Sequence, residues 1–159
     1  MMQQAVTLPL APGLGSLQAE QPAFLSLPRH GRRPLGFHGR LLLQVSAREP
    51  TLPVWSDVTV HESVTRHLVI AIRHALREDR SVSRDYAEAC DGPDVALAFL
   101  HAHDPLHDLP VEALYAAAEG LAEPARHQAA AACAQRLRQS WREVLSTCFG
   151  HRNPQGDLR

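Results

Sequence analysis

The chain has 159 residues, 45% of them hydrophobic and 21% charged, the balance of one globular domain able to bury a core without metal or disulfide staples. Its longest apolar runs are only a few residues, which excludes a bilayer span. A formal net charge of −1 names no partner and speaks against a strongly basic nucleic-acid binder.

Three cysteines, Cys90, Cys133 and Cys148, are odd in number, widely spaced and free of any CxxC pairing. They argue against a disulfide framework and for a reducing, cytoplasmic setting. All sixteen basic residues are arginine and Asn153 is the only asparagine. With so much alanine, that bias is the one expected of a GC-rich, bacterial genome. Charge is segregated along the chain. Residues 29–84 carry ten arginines against five acidic side chains, residues 85–125 carry nine acidic side chains and no arginine, and the C-terminal stretch is basic again.

Residues 1–34 hold Pro9, Pro12, Pro22, Pro28 and Pro34 with three glycines and no periodicity, so a disordered tail is expected there. No arginine precedes the apolar stretch Ala5–Leu17, and Pro9 and Pro12 break it, against a secretory signal. The tail ends in a basic arm, Arg29, Arg32 and Arg33. From residue 35 to 150 the pattern is that of a single α+β domain, and residues 151–159 form a polar tail.

Leu41, Leu43, Val45 and Ala47 alternate with Arg40, Leu42, Gln44, Ser46 and Arg48, the period of a half-buried strand. After a Pro-bounded connection at 49–53, Val54–Glu62 and His67–His74 repeat the alternation, with Val58, Val60, Leu68, Ile70 and Ile72 on the apolar face. Val82–Cys90 is a weaker fourth strand. Short connections favour an antiparallel four-stranded β-meander.

Asp91, Gly92 and Pro93 are a helix-start signal, and Pro105 stops that helix near His103. Leu109–Gly120 predicts a second helix, with Gly120 as terminator. Ala125–Phe149 predicts a long third one. Its apolar stripe is Ala130, Ala134, Leu137, Trp141, Val144, Leu145 and Cys148. Strands first and helices after give an α+β fold.

Three site hypotheses follow. The first is the sheet face opposite the aliphatic one, which shows Arg40, Leu42, Gln44, Ser46, Arg48, Trp55, Thr59, His61, Val69 and Arg73. A mixture of aliphatic, Trp and Arg side chains is the composition of an interface. The long helix, a protein partner or a second copy would cover it. Arg40, Arg48, Trp55 and Arg73 are its candidate binding residues, with Arg138 and Arg142 on the last helix as a secondary pair.

The second is single-stranded nucleic acid, held by that face and by Arg29, Arg32 and Arg33. A meander followed by a helix is similar in element order to the Whirly-like single-strand binders, and the analogy implies nucleic-acid binding. The third is a metal-dependent enzyme at His101, His103 and His107, where imidazoles and the nearby Asp104 and Asp108 could donate lone pairs to one ion. Helix geometry turns residues 101 and 103 apart, and helix-end capping explains the cluster without a metal. His61, His67 and His74 are expected on a solvated sheet face, with His61 and His67 as cross-strand neighbours.

Nucleophilic catalysis has no motif behind it, and no phosphate loop is present. The sequence therefore points to a non-catalytic protein that binds another macromolecule, without a cofactor, through a protein partner or self-association.

Overall fold

The computed structural model describes residues 21–150 except Asp108; the expected tails at 1–20 and 151–159 lie outside the described residues. The strands are β1 (Ala23–Arg29), β2 (Arg32–Ala47), β3 (Val54–Ser63), β4 (Leu68–Leu76) and β5 (Ser83–Cys90). They form one antiparallel sheet in meander order. The helices are α1 (Pro93–Ala102), α2 (Val111–Tyr115), which continues into a 3₁₀ turn at Ala116–Ala118, and α3 (Ala125–Cys148). The fold is α+β, with one strand more than expected. No helix among the described residues is long and apolar enough to cross a membrane.

The extra strand corrects the boundary drawn at residue 34. Ala23–Arg29 is β1, and β2 already begins at Arg32. Pro28 hid it by breaking the alternation, and the register slips at that position, between Leu27 and Arg29. His30 and Gly31 make the turn, with Gly31 at a φ of 66°. That left-handed conformation is open to glycine at little cost.

One sheet face carries Val58 paired with Ile72 and Val60 paired with Ile70. Helices α1 and α3 cover it, and Ala96, Leu100, Trp141, Val144 and Leu145 close the main core with these strand residues. Most of the stripe expected on α3 packs: Ala130, Leu137, Trp141, Val144 and Leu145 are buried, whereas Ala134 and Cys148 are half-buried and Cys133, outside that stripe, is buried with them. A second cluster joins Leu52 and Val54 to Cys133 and Leu137.

The opposite face is not free either. Val69 and Ala87 lie on it yet are only 2% and 3% exposed. The β1–β2 hairpin curls toward β5, where the His30 N–H donates to the Asp85 carbonyl at 2.7 Å. The Phe37 ring meets the His61 ring edge-on at 5.7 Å. Helices cover one side and the hairpin covers part of the other.

Gly39 makes the start of this curl possible. A Cβ there would sit 2.4 Å from the Glu62 carbonyl oxygen and 2.8 Å from the Phe37 ring. Gly39→Ala is therefore expected to destabilise the fold by roughly 1–3 kcal/mol through overpacking, read as a lower urea midpoint. An unchanged midpoint would mean that β2 and β3 do not approach so closely.

Candidate functional site

Two places concentrate polar chemistry, on opposite faces of the sheet. The first surrounds Trp55 on β3. Its indole N–H donates to the Glu49 carbonyl at 3.3 Å, and the side chain is half-buried. The Arg48 and Arg80 guanidiniums lie 5.8 and 5.9 Å from its ring centre. Period-two alternation puts Asp57, two residues along β3, on the same face. Register then sets Asp57 opposite Arg73 and Arg73 opposite Asp85. Arg48 reaches Asp57 at 3.4 Å and Arg73 reaches Asp85 at 3.8 Å. The surface alternates aromatic, cation and carboxylate, and much of its positive charge is already matched.

Arg48, Trp55 and Arg73 thus come together as expected. Arg40 does not. The ladder shifts between Leu41 and Leu43, so one residue of β2 goes unmatched and the face pattern reverses before it. Arg40 pairs across from Glu62, which it holds at 2.8 Å. Bonds from Arg40 and then Arg66 hold the Glu62 carboxyl below the usual carboxylate range. Leu41, expected in the core, faces His61 instead and is exposed.

Arg138 and Arg142 sit on α3, the helix that covers the other side of the sheet, so they cannot share a surface with Trp55. Arg138 bonds Asp104 at 3.0 Å and Arg142 bonds Gln139 at 3.3 Å. The basic arm is a hairpin turn rather than a tail. Arg29 donates to the Arg33 carbonyl at 2.7 Å, Arg32 lies 3.9 Å from Glu88, and Arg33 is exposed.

The second place was missed as a unit. His74, 4% exposed, projects from β4 into the helix-covered face. Its Nδ1 lies 2.7 Å from Ser56 Oγ and its Nε2 lies 2.6 Å from His103 Nε2. The two imidazoles stack at 4.8 Å and 11°, and Trp141 packs edge-on against both. Tyr86 closes the far side of His103 at 4.6 Å. Burial first, and the neighbouring His103 second, push the His74 pKa down to about 3. Burial also lowers that of His103, against the pull of Asp104.

The proton inventory of this pair is restricted. With one proton between the two Nε2 atoms, one ring donates and the other accepts. A further proton on His74 Nδ1 can be donated to Ser56 Oγ. Two protonated rings would point N–H groups at each other across 2.6 Å, and the contact would break.

Ordinary strand parity held the clue to the pair. Ser56 shares the face of Val58 and Val60, and His74 that of Ile70 and Ile72, so neither belonged on a solvated surface. The expectation for His61 and His67 is likewise corrected. His61 pairs with Val69, is 6% exposed and has its pKa lowered by burial. His67 lies in the turn before β4, 3.3 Å from Asp91.

The metal alternative does not assemble. His101 is exposed at the end of α1 while His103 turns to His74. Among the described residues no three His, Cys, Asp or Glu side chains are grouped to hold an ion. Compared with protein-family models, curated proteins and solved structures, the chain matches none of them.

Proposed function

We propose that this is a non-catalytic binding protein of the bacterial cytoplasm, which engages a protein partner or a second copy of itself through the sheet surface around Trp55. The observation that carries the proposal is the indole itself, held half-exposed between two guanidiniums on a face that no helix among the described residues covers. Trp and Arg are the residues that most often dominate binding energy, as a ring that loses water on contact and a rim that fixes register. Asp57 and Asp85 sit among the arginines, so a mixed-charge protein surface complements the patch better than a phosphate backbone does. The reduced Cys90, Cys133 and Cys148 support a cytoplasmic setting.

Trp55→Ala tests the proposal. Sedimentation velocity and capture of an identified partner should show association weakened by at least about tenfold, with thermal unfolding nearly unchanged. Binding equal to wild type would refute the proposed role. A large fall in melting temperature would instead make Trp55 a structural residue.

Single-stranded nucleic acid is the second reading, favoured by exposed Arg33 at the tip of the β1–β2 hairpin. A labelled oligonucleotide titrated at low salt, where such binding is strongest, separates the two.

A further inference from the structure

A reactive hydroxyl lies at the turn between β3 and β4: we propose that Thr65 is an acylation site, which accepts an acyl group from an activated ester with His67 as its base. Ser63, Thr65, His67 and Asp91 form one line of polar atoms there. Ser63 Oγ lies 2.9 Å from Thr65 Oγ1, which lies 2.8 Å from His67 Nδ1, and His67 Nε2 lies 3.3 Å from Asp91 Oδ1. Ser63 is 7% exposed and roots the line in the sheet, whereas Thr65 and His67 are open to solvent.

The turn closes without these side chains. The Ser63 N–H donates to the His67 carbonyl and the Arg66 N–H to the Ser63 carbonyl, each at 2.9 Å. Arg66, between the two reacting groups, adopts a φ of 67°. Left-handed backbone at a residue other than glycine is strained, and such strain gathers at functional sites.

The direction of the protons follows from the two ends of the line. A carboxylate only accepts, so Asp91 favours the His67 tautomer with its proton on Nε2. Nδ1 is then bare and takes the hydrogen bond of Thr65. The Ser63 hydroxyl accepts from the His67 N–H at 3.0 Å and donates to Thr65. Thr65 therefore has a base on its proton, the arrangement that activates a weak hydroxyl nucleophile. Its own N–H has no acceptor among the described residues. A nucleophile's own N–H is placed to receive the negative oxygen of a tetrahedral intermediate.

The step moves one acyl group. Thr65 Oγ1 forms a bond to the acyl carbon, and the bond from that carbon to the leaving oxygen breaks. The Thr65 proton passes to His67 Nδ1 and then to the leaving oxygen. The acyl group stays on the chain, so the step is a modification and not turnover. It is neutral and adds no charge beside Asp91, as a phosphoryl group would. Competing acceptors are few. The chain has no lysine, and burial raises the thiol pKa of Cys90, Cys133 and Cys148, the last to about 11.

The probe is p-nitrophenyl acetate, followed by intact mass and peptide mapping of the full chain. One acetyl group per chain should appear, at Thr65. His67→Gln should slow its appearance by at least about tenfold, and Thr65→Val should abolish it. Thr65→Ser, which keeps the hydroxyl, should restore it. Asp91→Asn, at an 89% exposed side chain, should slow labelling as well without touching either reacting group. Melting temperatures should match the wild type, since all three positions are exposed. An acetyl group found elsewhere, labelling of Thr65→Val, or a His67→Gln rate equal to wild type would overturn the assignment.

Discussion

Trp141→Ala is expected to destabilise the protein by about 3–5 kcal/mol, a large fraction of the roughly 5–15 kcal/mol that holds a native domain folded. Trp141 is 5% exposed and belongs to the main core. Its ring is the wall against which His74 and His103 are held. Truncation loses the transfer energy of the indole, leaves a large void, and frees the two imidazoles to move. Its buried Nε1 has no hydrogen-bond partner among the described residues, so deleting the ring gives back a little of that loss. Urea unfolding of the variant beside Trp55→Ala gives the sharpest comparison. The two tryptophans should differ by several kcal/mol, and equal losses would contradict the placement of Trp55 on an open face.

Acid should weaken the fold well above the range where carboxylates titrate. His74 in the folded chain has its pKa pushed to about 3 from an ordinary 6.5. Protons therefore bind the unfolded chain first, and stability is fully present above pH 6.5 and falls as the pH drops toward 3. The whole difference is on the order of 5 kcal/mol, of which about 2 kcal/mol is gone by pH 5. His103 and His61 are lowered as well and push in the same direction. The groups around His74 are Ser56, His103 and Trp141, with Arg84 opposite it on β5, and Asp57 offers only partial electrostatic relief. Melting temperatures at pH 7.5 and pH 5 should show the fall. His74→Gln, which cannot titrate, should begin less stable and lose less. An identical pH dependence in wild type and variant would remove His74 from the account.

The sequence made the fold legible wherever alternation was unbroken. β3, β4, α1 and α3 lie within a few residues of their expected bounds, because periods of two and of about 3.6 are imposed by burial on one side. β1 was hidden by Pro28, and the reversal in β2 by a single unmatched residue that leaves no mark in composition. Leu52 looked like a loop residue between two prolines, yet it is 1% exposed. Its burial depends on Cys133 and Leu137, which come from the far end of the chain.

The functional residues were legible to different degrees. Arg48, Trp55 and Arg73 needed only local parity. His74 could be placed on the inner face by parity, but its meeting with His103 could not, because 29 residues and a strand-to-helix switch separate them.

The unmatched residue in β2 has a mechanical consequence. A strand with one more peptide than its neighbour must spend the surplus length as a bend, and this bend lies between the part of β2 under the helices and the part that reaches toward β5. Were the surplus absent, every cross-strand partner of β2 could stay where it is while the ribbon flattened, and Val69 and Ala87 would be open to water. One peptide unit of length is what separates a curled sheet with two interiors from a flat one with a single interior.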